Sequence, residues 1–197
     1  MVILNNIERF ESLLRETKKD NIEALIQYYR DSDFYTAWAS SSYHLNTHGG
    51  LLQHSLNVCD YALKLWESFK STVPRESVIF CALNHDLGKS GLKDDEYYVP
   101  NTLKSGKVSG SKPIKINPNL RIKNHAWRSV LQLSKYVELT EDEKVCIINH
   151  DGFYQAENRQ AMLDIFELLF IIHSADLYVA RFVEPVKSYK GGEKIDL

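Results

Sequence analysis

Cysteine is scarce in this chain. There are three among 197 residues, Cys59, Cys81 and Cys146, odd in number and far apart. That pattern argues against a disulfide framework and against a CxxC zinc site, and it predicts buried free thiols in a reducing, cytoplasmic setting. Long apolar runs are missing as well. Leu168–Ile172 is only five residues, far short of the roughly 20 that span a bilayer, so no membrane association is expected. The opening stretch MVILNNIERFE has no basic segment followed by a long apolar one, and no secretory signal is expected there. No single sign of charge dominates: 24 Lys and Arg face 26 Asp and Glu, for a net charge of −2. Such a balance disfavours binding of long duplex nucleic acid by bulk charge and leaves local patches open. The 44% hydrophobic and 25% charged content is that of an ordinary globular protein. At this length roughly 70% of the unfolded surface can be buried, so the core needs no metal or disulfide.

What is present is helical patterning. Ile7, Phe10, Leu13 and Leu14 fall at helical spacing, as do Ile22, Leu25, Ile26 and Tyr29, with Asp20 or Asn21 as a cap. A short helix is predicted over Phe34–Ala39. A long amphipathic one follows over Leu51–Phe69, with Leu52, Leu56, Cys59, Leu63 and Trp66 on one stripe. Pro74 suits the first turn of a helix that runs to Gly88. Asn124–Tyr136 and Glu141–Asn149 read as two more, the second opened by a Thr140/Glu143 capping box. Asn158–Val183 reads as the longest and most apolar helix. The expectation is one all-α domain over residues 1–197. Residues 1–50 form its N-terminal helices and connection, 51–91 its core, 92–123 an insert and 124–197 its C-terminal helices.

The insert departs from the pattern. Pro100, Gly106, Gly110, Pro113 and Pro118 interrupt it, and Tyr97–Val99 and Pro113–Ile116 are predicted to pair as a short hairpin. From Thr102 to Lys123 there are six basic residues (Lys104, Lys107, Lys112, Lys115, Arg121, Lys123) and no acid. Such a loop can close over phosphates as a lid, or be a solvated surface insert.

Seven histidines carry the chemistry. His85-Asp86 ends an apolar helix in the string CALNHDLGK. A charged Asp beside a His is costly to bury unless both are satisfied, and a divalent metal satisfies both; a helix-terminal Asp cap with an incidental His is the other reading. His54 lies beside an apolar stripe just after Gly49-Gly50, a pair suited to a tight turn that delivers a helix start close to other groups. His173 and Asp176 lie three apart in the apolar string LLFIIHSADLYVA, where an Asp needs a cation or several hydrogen bonds.

The order His54 … His85-Asp86 … Asp176, with the flanks GGLLQHSLNV, ALNHDLGK and HSADLYVAR, resembles the HD superfamily of metal-dependent phosphohydrolases. It is similar both to the HD domain of a bacterial 3′–5′ exoribonuclease family and to small stand-alone HD hydrolases of bacteria and phages. The resemblance spans most of the chain and implies an HD helical bundle. It also implies that His54, His85, Asp86 and Asp176 hold one divalent metal, with His125 and His150 completing a second site bridged by Asp86. Mn, Fe, Zn, Ni or Mg all suit such a site. The implied activity is hydrolysis of a phosphoester in a nucleotide or short oligonucleotide by hydroxide generated at the metal, with Asp86 and Lys89 in catalytic roles. No Gly-Tyr-Pro follows His150, where the chain reads Asp151-Gly152-Phe153-Tyr154, a departure from the cyclic-dinucleotide branch.

Other polar residues have weaker patterns. Lys89, Arg128, Lys104 and Lys112 are candidates for substrate phosphate, each with a structural or surface role as the competing reading. His173 is expected to orient Asp176 by a hydrogen bond. Tyr97 and Tyr98 stack a base or pack; His44, His48 and Arg181 are read as rim, packing or surface. Two other functions fit the same pattern: a non-catalytic nucleotide-sensing or partner-binding module, and a di-iron oxygenase.

Overall fold

Helical spacing of apolar residues organises most of the chain into an all-α fold with short hairpins. The computed structural model describes residues 2–184 and the strands at 188–190 and 193–195. Helices α1 (Val2–Glu16), α2 (Ile22–Asp31), α3 (Gly50–Ser68) and α4 (Arg75–Asn84) come first. Strands β1 (Tyr98–Pro100) and β2 (Ile114–Ile116) follow, then α5 (His125–Leu133), α6 (Glu141–Asn149), α7 (Arg159–Leu163) and α8 (Glu167–Tyr178). Strands β3 (Ser188–Lys190) and β4 (Glu193–Ile195) form a second antiparallel pair. No helix among the described residues is long and apolar enough to cross a membrane.

The core forms where the apolar stripes meet. Leu52, Leu56 and Cys59 of α3 are buried with Ile79 and Leu83 of α4 and Ile171, Ile172 and Ala175 of α8. Phe10, Tyr29 and Phe34 close one end as an edge-on aromatic cluster. Each such side chain contributes roughly 1.5–3 kcal/mol on full burial. Cys59, Cys81 and Cys146 are all buried free thiols.

The predicted hairpin forms in the register Tyr98↔Ile116, Val99↔Lys115 and Pro100↔Ile114. The Thr140/Glu143 capping box is complete and opens α6 at Glu141. Four local expectations fail. Asn21 precedes α2 in the left-handed region (φ 59°), which keeps its side chain from capping the first turn. Pro74 lies just outside α4, not in its first turn. Phe34–Ala39 makes a turn and not a helix, because the carbonyls of Thr36 and Ala37 accept from Gly49 N and Leu51 N at 3.0 Å each. The predicted Asn158–Val183 helix is broken at Asp164–Phe166, where Asp164 ends α7 and Phe166 turns extended (φ −107°, ψ 165°) into the core. The longest helix is therefore α3, at 19 residues.

Candidate metal centre

Three glycines let separate segments meet closely enough to build the site. A Cβ on Gly50 would lie 2.1 Å from the Leu45 carbonyl oxygen, so only glycine lets the 40–49 connection rest on the start of α3. Past α4 the chain makes a single 3₁₀ turn, Leu87–Lys89, on which α5 sits directly. A Cβ on Gly88 would lie 2.0 Å from the His125 carbonyl oxygen and 2.7 Å from Ser129 N. Ser129 Oγ accepts from Gly88 N and donates to the His85 carbonyl, both at 2.8 Å. Gly152 (φ 59°) leaves room for the ring of His173, which a Cβ would meet at 2.3 Å.

These contacts bring six predicted ligands together. His54, His85, Asp86 and His150 are essentially fully buried, and the His125 and Asp176 side chains nearly so. His54 Nε2 stands 3.1 Å from Asp176 Oδ1, 3.2 Å from His85 Nε2 and 3.6 Å from Asp86 Oδ2. His85 Nε2 is 3.5 Å from Asp86 Oδ2 and 3.9 Å from Asp176 Oδ1. Ligands bound to zinc at about 2.1 Å lie about 3.4 Å apart along the edges of a tetrahedron, close to the spacing among His54, His85 and Asp86. The other oxygen of the same carboxylate, Asp86 Oδ1, is 3.2 Å from His125 Nε2 and 3.4 Å from His150 Nε2. Asp86 thus faces two ligand groups, one with each oxygen.

Hydrogen bonds on the far side of the rings fix the tautomers. His85 Nδ1 donates to the Ala82 carbonyl at 2.8 Å, and His150 Nδ1 to the Ile147 carbonyl at 2.7 Å. His54 Nδ1 donates to Glu184, 3.1 Å from both carboxylate oxygens. All three rings therefore turn Nε2 toward the same small volume, as metal-ligating histidines do. Asp86 Oδ1 and His125 Nε2 are buried and, although close, make no aligned hydrogen bond to each other or to anything else described. A buried carboxylate oxygen and a buried ring nitrogen left unbonded are expensive, and a shared cation satisfies both. The donor set of imidazole nitrogens and carboxylate oxygens fits a divalent transition metal.

The electrostatics agree with the geometry. Burial disfavours a charged His54, but the Glu184 and Asp176 carboxylates override it and lift its pKa to about 10. Burial likewise opposes charge on His150, and Asp151 and Asp86 raise it to about 9. Asp86 stays well below the usual carboxylate range despite burial, held there by Lys89 and the histidines. Burial and Lys89 together lower His125. Protons and metal ions compete for the same lone pairs, so this is a region that attracts cations strongly.

Several functional candidates occupy other positions than expected. Lys89 Nζ binds Asp86 Oδ2 at 2.6 Å and lines the cavity beside the centre. Arg128 is corrected from phosphate ligand to clamp: buried, it donates to the carbonyls of Gly88, Ser90 and Asp95 and holds α5 on the 87–89 turn. His173 makes no hydrogen bond to Asp176; its Nδ1 donates to the His150 carbonyl at 2.8 Å, tying α8 to the end of α6. Tyr97 packs against α5 and donates to the Lys123 carbonyl. Lys104 and Lys112 are exposed, and none of the six basic insert residues lines the cavity. His48 is exposed.

Four residues join the site unforeseen. Asp151 lies 3.4 Å from His125 Nε2 and 3.8 Å from His150 Nε2, within reach of the second ligand group. Its adjacency to His150 was the available signal. Glu184 is buried and accepts from His54, His44 and Asn57; no pattern in the sequence links 184 to 54. His44 lines the cavity together with Arg181. Glu184→Gln is expected to weaken metal binding roughly 10- to 100-fold, the usual loss for an outer hydrogen-bond partner. Competition against a fluorescent chelator checks this, and unchanged affinity would remove Glu184 from the account.

The cavity, about 300 Å³, is walled by Lys89, His150, Asp151, His173 and Asp176 on the centre side. Comparison with protein-family models, with curated proteins and with solved structures returned no match.

Proposed function

We propose that this protein is a metal-dependent phosphohydrolase of the HD type, acting on a phosphoester of a nucleotide or short oligonucleotide. The observation that carries the reading is the placement of Asp86, with one carboxylate oxygen toward His54 and His85 and the other toward His125 and His150. His54, His85, Asp86 and Asp176 would hold one ion; Asp86, His125, His150 and Asp151 would hold a second. Bound ions of this kind activate water near neutral pH and neutralise the charge of a phosphoryl group in displacement.

The chain's own residues supply the rest. Glu184, Ala82 and Ile147 orient the histidines from behind. Lys89 neutralises Asp86 and presents a cation at the cavity wall, where charge develops on the phosphoryl oxygens. Leu177 and Ala180 add apolar surface to a cavity whose other lining is largely polar.

The test is turnover of bis-p-nitrophenyl phosphate, p-nitrophenyl phosphate and a nucleotide panel by protein loaded with Mn²⁺. Chelator-sensitive release of product is expected. Tight metal binding with no product across the whole panel would overturn the hydrolase reading in favour of a nucleotide sensor.

A further inference from the structure

Residues Val179–Val183 continue α8 as a π-helical turn, closed by Glu184 N donating to the Val179 carbonyl at 3.0 Å. In an α-helix, a residue five positions after Asp176 would point about 140° away from it. The π turn that begins at Val179, with its i→i+5 bonding, narrows that offset, and the long Arg181 side chain spans the rest. Arg181 thereby reaches the wall of the cavity that Asp176 also lines.

Arg181 is braced there. Its Nη2 donates to Tyr154 Oη at 2.6 Å, and its guanidinium lies over the Tyr154 ring, 5.7 Å from the centroid. A guanidinium has five N–H donors, so most remain for a ligand. Among the described residues no carboxylate lies within ion-pair distance of it. The other cation of the cavity, Lys89, is held on Asp86 at the reacting end. Tyr43 and Tyr154 stand exposed on the same wall, beside Leu177 and Ala180, and offer aromatic and apolar surface to a base or sugar.

We propose that Arg181, held by Tyr154, is an anion subsite that selects the substrate: a small nucleotide with a second phosphoryl group set apart from the one that reacts. This rests on the metal-centre reading, which places the reacting group beside Asp176. Three residues of α-helical rise, about 4.5 Å, and then part of the π turn separate Arg181 from Asp176 along the axis. That span suits phosphates on two different ribose carbons better than two joined by one bridging oxygen. A cavity of about 300 Å³ accommodates one nucleotide, not the body of a strand.

The experiment compares adenosine 3′,5′-bisphosphate with 5′-AMP and 3′-AMP, on full-length protein whose metal content has been measured. Dissociation constants come from calorimetry, and KM and kcat from phosphate release. Wild type should prefer the bisphosphate. Arg181→Gln should weaken bisphosphate binding roughly 10- to 100-fold, as expected for loss of a charge-assisted hydrogen bond. The loss for either AMP should be much smaller than for the bisphosphate, and metal content should stay near wild type. Arg181→Lys should recover part of the loss, and because Arg181 is exposed both variants should fold, as circular dichroism would verify. Equal losses for mono- and bisphosphate, no loss for either, or no wild-type preference would overturn the subsite. Failure to take up metal would overturn the underlying reading instead, so the two failures are distinguishable.

Discussion

Asp86→Asn is expected to abolish binding at both metal positions and reduce phosphoester turnover far more than the roughly 10- to 100-fold cost of losing an outer partner. The carboxylate is shared: Oδ2 faces His54 and His85, and Oδ1 faces His125 and His150. An amide presents one neutral oxygen and one NH₂ group, and the NH₂ group cannot ligate. The substitution also strands the Lys89 ammonium, 2.6 Å from Asp86 Oδ2, at about 3–5 kcal/mol for breaking a buried pair. Metal analysis of the folded fraction checks the first effect, and thermal unfolding in chelator checks the second. His125→Ala separates the two positions. It should lose one equivalent and keep the ion held by His54, His85, Asp86 and Asp176. Retention of full metal by Asp86→Asn would contradict the bridging role.

Gly88→Ala should damage both the fold and the second metal position. The added Cβ meets backbone atoms of α5, His125 O at 2.0 Å and Ser129 N at 2.7 Å, and the Arg128 Cβ at 2.6 Å. None of these is a flexible side-chain tip, so α5 must move bodily. Overpacking of this kind costs typically about 1–3 kcal/mol, occasionally more, and for a chain this size each kcal/mol shifts Tm by roughly 2–4 °C. A fall of about 10 °C is expected. The displaced helix carries His125 away from Asp86, so the second metal should be lost before the first. A variant with wild-type Tm and full metal content would show that the 87–89 turn does not position α5.

Much of this arrangement was legible in the sequence because it is local. The Thr140/Glu143 capping box sets the start of α6, and the prolines and glycines of 92–123 set off the hairpin. The candidate ligands were legible because the order His54 … His85-Asp86 … Asp176 and its flanks resemble the HD superfamily, and that resemblance also implies His125 and His150. What escaped was non-local or depended on an unusual turn. Arg128 reads as a cation, and only the carbonyls of Gly88, Ser90 and Asp95 around it show that its Nε and Nη2 donors are turned into the protein. Glu184 meets His54 across 130 residues. Arg181 reads from the sequence only as packing or surface, because periodicity assumes α geometry and Val179–Val183 is a π turn. The break at Asp164–Phe166 lies inside an apolar stretch with no Gly or Pro to mark it.

Metal analysis of the purified chain, by mass spectrometry after growth with Mn, Fe and Zn supplied, tests the central claim most directly. The account predicts about two divalent ions per chain, reduced to one in His125→Ala and to none in Asp86→Asn. A wild-type chain that stays metal-free, with its histidines titrating the same whether or not these metals are added, would contradict it.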